Sequence, residues 1–455
     1  MERAEMSAVE RVELVINHEL TDRFGQAAVL RAVLLQHGED PAIEPGQLMV
    51  RVFIPAPSEP GEYQQALAEW QAVHRLQAEE FRRGLARRLP SARLLEFTFD
   101  DPAADTPRLV LPDDGAQAPE QMSGREIVTA ALALLRANYV FPELAEEAAV
   151  AVEARLEVGQ YDDLDEIALT ELLTGHLQEV CADKHLRVRL GGGPGPRPGP
   201  GPGPGDEDED EEPDDYEARV LAMRRMGRLD NFGIRRVERL DGNIGYLDIR
   251  RVPVPAIAGP AIVGAMELVA GTYALIIDLR RNGGGSPEGV VFWCSYLFDD
   301  KDPAHLNDIF DAGTGETRQF WALPYVPGTR YLDRPVYLLS SGRTFSGGED
   351  FCYTLQALGR AEVIGETTGG GAHPTRPFPI SGAVHITVPF ARSINPVTGT
   401  NWEGAGVVPD IAVPEAEARD VAYAKALRHV LGMDDVPAPI ADEARDALGR
   451  LPASQ

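Results

Sequence analysis

Two short apolar runs constrain this chain most: Tyr273–Leu279 and Pro335–Ser340. Each is too short for a core helix and too continuous for a strand with one wet face. That leaves a strand covered on both faces, the character of strands in parallel sheets. The first run leads into Gly283-Gly284-Gly285 and then a helix expected over Gly289–Leu297. The second leads into Ser341-Gly342 and a helix expected from about Ser346 to Leu358, with a third strand at Ala361–Ile364. Upstream, Ile244–Ile249 reads as a strand and Ala261–Ala270 as a helix. This alternation is that of an α/β core with parallel pairing. Turns that follow neighbouring parallel strands emerge at one sheet edge, where ligand sites form.

The two turns have chemistry. Three consecutive glycines leave backbone N–H groups bare to an oxyanion or a phosphate. Ser346, followed by Gly347-Gly348, stands at the start of a helix, whose free N–H groups favour a developing negative charge. A serine there could attack a carbonyl while adjacent N–H groups hold the oxyanion. Taken alone, this turn favours the plain N-cap, a position serine prefers. The pairing of the two turns at one edge tips the reading toward a nucleophile.

A nucleophilic serine needs a base. Only three of the 43 basic residues are lysine, and none lies between Lys301 and Lys425, so a Ser-Lys dyad is excluded in this region. A histidine is then expected. His176 lies mid-helix, His305 is a further candidate, and His385 sits in an alternating strand. His185, at a helix-to-strand junction, and His373, in a glycine-rich loop, remain rivals that spacing cannot separate. Glu403, between Trp402 and Gly404, is the candidate acid.

The length of 455 residues calls for two or three domains. Residues 1–115 read as a small α/β domain, with helical spacing over Val9–Leu35 and Gly61–Arg88 and strands at Leu48–Ile54 and Ala92–Phe99. Its His18, His37 and His74 form no constellation. Residues 120–190 read as a helical cap, 216–432 as the core with a helix at Glu415–Leu431, and 433–455 as a loosely attached tail. Between cap and core, 191–215 is a Gly-Pro repeat followed by acids, a linker fit for neither helix nor sheet. The net charge is −29, and twenty negative charges remain when the nine acids of Asp206–Asp215 are set aside. Such a surface repels phosphate backbones and anionic lipids, so neither nucleic acid nor membrane is an expected partner. Three scattered cysteines argue against a disulfide framework or zinc knuckle. The charged start and the lack of a long apolar run point to a cytoplasmic protein with no leader.

Several stretches form an ordered set: Asp183-Lys-His-Leu186, Asn243-Ile-Gly-Tyr-Leu247 and Asp278-Leu-Arg-Arg-Asn-Gly-Gly-Gly285. They continue with Thr344-Phe-Ser-Gly-Gly-Glu349, Gly365-Glu-Thr-Thr-Gly-Gly-Gly371, Asn401-Trp-Glu-Gly404 and Gly406-Val-Val-Pro-Asp410. Over residues 120 to 415 the chain resembles the serine-peptidase family of tail-specific (C-terminal-processing) proteases. It looks most like the branch holding the tricorn protease core and the repeats of interphotoreceptor retinoid-binding protein. The resemblance implies a crotonase-like (ClpP/crotonase) β-superspiral core with a helical N-terminal cap, the first 115 residues lying outside it. It implies Ser346 as nucleophile, His185 as base, Glu403 as supporting acid, and an oxyanion hole from Gly347, Gly284 and Gly285. Gly370 and His373 become candidate substrate contacts. It implies no cofactor or metal, a peptide or unfolded polypeptide as substrate, and is compatible with a homo-oligomer. Two features depart from the wider family. The loop after Glu366 lacks the lysine of the Ser-Lys branch, and Gly191–Leu240 is too short for a PDZ domain. An esterase, or a non-catalytic binder of hydrophobic small molecules on the same fold, are the alternatives.

Overall fold

The computed structural model describes residues 31–36, 48–54, 92–99, 109–111, 122–190, 213–381 and 384–452. The chain divides into two units at Ser123/Gly124. In the first, β1 (Arg31–Gln36), β2 (Leu48–Ile54), β3 (Ala92–Phe99) and β4 (Leu109–Leu111) form one sheet in that order. β2 and β3 are parallel, and the other neighbours are antiparallel. Val50 and Val52, two apart, are buried on the same face, as the strand period requires. Arg31–Gln36 is a strand where helical spacing was expected through Leu35. A short apolar run such as Ala32-Val-Leu-Leu35 serves either state, so periodicity does not discriminate there. The rest of Val9–Leu35 and the helix expected over Gly61–Arg88 lie outside the described residues.

The second unit opens with three helices: α1 (Gly124–Asn138), α2 (Pro142–Glu157) and α3 (Glu166–Cys181). α1 buries Ile127, Val128, Ala131, Leu132 and Leu135, a single stripe at helical spacing. Pro142 starts α2, where a missing N–H costs nothing. Asp165 caps α3 by accepting the Ala168 N–H at 2.8 Å. α3 ends at Ala182, in the left-handed region at φ 51°, and the chain turns sharply into β5 (Arg187–Leu190). The linker expected over 191–215 lies outside the described residues up to 212, and helix α4 (Pro213–Leu229) begins before its expected end.

Six strands build the main sheet: β6 (Ile234–Leu240), β7 (Ile244–Ile249), β8 (Ala274–Asp278), β11 (Val336–Ser340), β12 (Glu362–Gly365) and β16 (Ile411–Ala412). Their order is β16-β12-β11-β8-β7-β6. All pairs are parallel except the β6–β7 hairpin. β7, β8 and β11 are buried at every position. Helices α5 (Pro255–Val269), α6 (Pro287–Ser295) and α7 (Gly347–Ala357) share one apolar cluster with the sheet. On its other face lie α8 (Glu415–Leu431) and α9 (Ala438–Arg450). Within the tail expected over 433–455, the stretch Ala438–Arg450 is not loose: Ala444 and Ala447 are buried with Leu427 against Ile244 and Tyr246. Two three-stranded sheets complete the unit, β10 (Thr317–Trp321)–β9 (His305–Asp311)–β15 (Ala391–Ile394) and β13 (Thr375–Pro379)–β14 (Val384–Pro389)–β5.

The register between β8 and β11 aligns the two glycine turns. Leu339 of β11 stands opposite Asp278 of β8. Both strands end at the same level, so their turns leave the sheet side by side.

Candidate active site

The serine turn is tied to the glycine turn by backbone and hydroxyl bonds. Thr344 Oγ1 donates to Leu279 O at 2.9 Å, and the Phe345 N–H donates to Asn282 O at 3.0 Å. Between them and α7 stands Ser346 with φ 54° and ψ −124°. A residue with a Cβ adopts this conformation at a cost of about 1–3 kcal/mol, and only where its surroundings enforce it. The enforcing group is Glu349, fully buried. Its Oε2 accepts the N–H groups of Ser346 (2.8 Å) and Gly371 (2.9 Å). Its Oε1 accepts the Gly370 N–H (2.6 Å) and the Thr368 hydroxyl (2.5 Å). Burial raises the Glu349 carboxyl above its ordinary range, and these four donors oppose the rise. One carboxylate thus fixes the serine and the loop 368–371 to each other.

Gly284 backs directly onto the serine. A methyl group at Gly284 (φ 100°) would lie 2.7 Å from Ser346 Cβ, and one at Gly347 would lie 3.0 Å from the Gly285 nitrogen. Only bare backbone fits both positions. The N–H groups of this turn do not all point the same way. Gly283 donates to Arg250 O at 3.1 Å and Gly284 to Asn282 Oδ1 at 2.8 Å. The N–H groups of Gly285 and Gly347 have no hydrogen bond among the described residues. Of the three glycines expected to form an anion hole, Gly284 is committed elsewhere, because the fully buried Asn282 needs an acceptor role for its side-chain oxygen.

His185 follows α3 directly. Its ring lies 4.6 Å from that of Phe345, the residue before Ser346, and a methyl at Gly371 would meet its Cε1 at 2.7 Å. Lys184 ties the same turn to the loop by donating to Gly369 O at 2.5 Å. Behind the histidine lie two carboxyls. Asp183, 1% exposed, accepts the His185 backbone N–H on Oδ1 at 2.9 Å. Glu403 accepts the Ala372 N–H on Oε2 at 2.5 Å, and its Oε1 is buried with no hydrogen bond among the described residues. Asp183, His185 and Glu403 each bring one donor-type atom within 4.8 Å of the others. These are also metal-binding residue types, but both Asp183 oxygens already accept hydrogen bonds. Burial pushes the Glu403 carboxyl up to about 7, with Asp183 adding to the rise and His373 opposing it.

The structure thus brings Ser346, Gly347, Gly285, His185 and Glu403 to one edge of the sheet. Gly370, a candidate substrate contact, gives its N–H to Glu349 and so has none to offer a ligand. His373 is 6% exposed and bonded to Asp183 at 2.6 Å. The other histidines are engaged elsewhere. His176 pairs with the Tyr161 hydroxyl at 2.7 Å. His305 pairs with Asp308 at 2.6 Å beneath the stacked ring of Trp321. His385 is buried on β14 opposite Arg189. Three residues given no role by sequence reasoning carry much of the site: Glu349, Asn282 and Asp183. Glu349 had a signal. Ser346-Gly-Gly-Glu349 is a capping-box spacing, in which the acid reaches back to the N–H of the first residue. Asp183 stood in the stretch Asp183-Lys-His-Leu186, but nothing local pointed to its role, since its partner lies 190 residues away.

A strained helix-start serine, two unused N–H groups and a histidine backed by buried carboxyls on a mixed α/β sheet are the parts of a hydrolase. Comparison with known proteins gives the family. Residues 243–413 match peptidase family S41, and residues 122–215 match the N-terminal domain of Peptidase_S41 in eukaryotic IRBP. The chain carries an S41 peptidase domain preceded by that IRBP-type domain, and a domain of this family implies a serine peptidase. Among solved structures it is similar to a putative peptidase from Parabacteroides merdae, with 18% identity and a TM-score of 0.44 over 67% of this chain and 93% of that one. It is also similar to the photosystem II D1 C-terminal processing protease, with 15% identity and a TM-score of 0.40 over 65% and 94%. The tricorn protease matches with 16% identity and a TM-score of 0.40 over 75% of this chain and 38% of that one.

Proposed function

We propose that this chain hydrolyses peptide bonds through an acyl-enzyme, with Ser346 as nucleophile and His185 as base. Ser346 Oγ attacks the scissile carbonyl while its proton passes to the His185 ring. The carbonyl oxygen, now negative, is held by the N–H groups of Gly347 and Gly285. As the C–N bond breaks, the same proton moves to the leaving amine, and a serine ester remains. Water then attacks the ester with His185 again taking the proton, and Ser346 regains its hydroxyl. Glu403, beside the imidazole, stabilises the cation formed at each transfer.

The observation that carries this reading is the conformation of Ser346. A helix cap needs no φ of 54°, whereas a nucleophile held against the free N–H groups of Gly285 and Gly347 does. The reading takes the core as a crotonase-like β-superspiral with a helical cap, supported by the parallel sheet and its two three-stranded annexes. Substrates would be peptides or unfolded tails, the class on which a peptidase of this family acts. Three free, buried cysteines suit a reducing compartment such as the cytoplasm.

The test is the intact mass of the protein after incubation with a fluorophosphonate. One adduct on the parent, none on Ser346→Ala and a much slower one on His185→Ala are expected. No adduct on the folded parent would refute an activated serine and favour a non-catalytic binder. Comparing amide with ester substrates then separates peptidase from esterase.

A further inference from the structure

A buried histidine within the site itself is left unused by this chemistry. His373 lies in the loop after Gly371, with its ring edge against Phe141 at 5.4 Å between centroids. Its Nδ1 is 2.6 Å from Asp183 Oδ2 and 3.5 Å from Glu403 Oε2. An ionised carboxylate only accepts hydrogen bonds, so this geometry puts the proton of His373 on Nδ1. Asp183 Oδ2 also faces the Tyr139 hydroxyl at 3.4 Å, and Asp183 Oδ1 holds the backbone of His185. A single N–H therefore stands between two buried carboxyls that would otherwise face each other beside the base. The contact also joins two distant parts of the chain. Asp183 follows the last helix of the cap, and His373 belongs to the loop anchored by Glu349.

We propose that Asp183 and His373 are a positioning pair for the base. The Nδ1–H of His373 clamps Asp183, Asp183 fixes the turn that carries His185, and the same N–H offsets the charge of Glu403 so that its carboxylate can face the imidazole. His373 is then neither the base nor a substrate contact. This rests on Ser346 and His185 acting as proposed above. The groups that face His373 are Asp183 and Glu403, with Tyr139 and His185 beyond Asp183, Arg392 across the Phe141 ring, and Glu349 behind the loop.

The experiment measures the rate of fluorophosphonate adduct formation from pH 5 to 9 on the parent, His373→Ala, His373→Asn, His373→Gln and His185→Ala. Melting temperatures are recorded alongside. An asparagine places an N–H near the Nδ1 position and a glutamine near Nε2. His373→Ala should slow labelling on the order of 100-fold, the scale of a reacting group misplaced by about an ångström. Its acidic limb should also shift to higher pH. His373→Asn should recover most of the rate and return the limb toward the parent, and His373→Gln should not. If His373→Ala fails to fold, the Asn and Gln variants decide alone. Parent-like rates and pH profiles in all three variants would reduce His373 to a packing residue and overturn the proposal. A His373→Asn variant as slow as Ser346→Ala, with His185→Ala still labelled, would make His373 the base and overturn it equally. An unlabelled parent would instead bring down the serine chemistry itself.

Discussion

The two halves of the site are built in different ways. The nucleophile half lies between residues 279 and 349 and depends on backbone: glycines, a strained serine, and N–H groups aimed by two neighbouring strands. The base half gathers Asp183, His185, His373 and Glu403 from three distant segments and depends on buried charge. Backbone geometry set by adjacent parallel strands is local and costs little to specify. Buried charges must be matched to one another across the fold, and each mismatch is costly.

Substitutions at the two halves should therefore fail in different ways. The largest effect belongs to Ser346. Both Ser346→Ala and Ser346→Gly should abolish the fluorophosphonate adduct. The glycine variant should be the more stable of the two by about 1 kcal/mol in denaturant titrations, because only glycine relaxes at positive φ. Equal stability would mean that the serine turn stores no strain.

Next come the two glutamates. Glu349→Gln should lose about 2–4 kcal/mol, because an amide N–H2 must then face two of the four donors that the carboxylate satisfies. Glu403→Gln should change stability far less, since Glu403 Oε1 has no hydrogen bond to lose, and should show mainly as slower labelling. If the two variants melt alike, the contrast between a structural and an electrostatic carboxylate fails.

A smaller effect separates activity from stability through pH. Glu403 titrates near 7, above the value of a free carboxyl, because burial and Asp183 disfavour its charge. Below that pH it is protonated, so labelling should fall as pH drops through about 7. Its contribution to stability has the opposite sign. The native state binds this proton more tightly than the unfolded chain, so that contribution is present at low pH and is lost as pH rises from the unfolded value through about 7. Parallel pH profiles of labelling rate and melting temperature test this. In Glu403→Gln the part of that pH dependence contributed by Glu403 should vanish, leaving only the limb set by the base itself.

Asp350, beside Glu349 on α7, has the smallest expected effect. It is fully inside the fold, and burial pushes it up to about 6 against the bonds from Thr354 and Asn307. Asp350→Asn should raise the melting temperature by a few degrees at pH 8 and by almost nothing at pH 4, with labelling unchanged. A drop at pH 8 would mean that its charge is used.

Much of the nucleophile half was legible in the sequence. The runs at Tyr273 and Pro335 and their glycine turns identify themselves by composition, and β8 and β11 stand side by side as the strand pattern requires. The capping-box spacing was a signal for Glu349 that sequence reasoning left unused, and its four partners span the loop to Gly371. From its residues alone the base half was legible only as a set of rival histidines, and the choice of His185 and Glu403 came from the family resemblance. No local pattern tells His185 from His373, because what distinguishes them is a contact between Asp183 and His373 across 190 residues. The C-terminal helix α9 went unread for a different reason. Its buried face is alanine, Ala444 and Ala447, too small to register as an apolar stripe. The segment 191–212 and the helix expected over Gly61–Arg88 lie outside the described residues.

The order of these parts along the chain has a consequence during synthesis. The ribosome delivers the histidine first, the serine some 160 residues later, and Glu403 last. Until the final stretch emerges, the nascent chain holds a potential hydrolase without its full charge set. On the proposed chemistry, a growing polypeptide of this kind reaches its full rate only after the stretch that carries Glu403 has emerged.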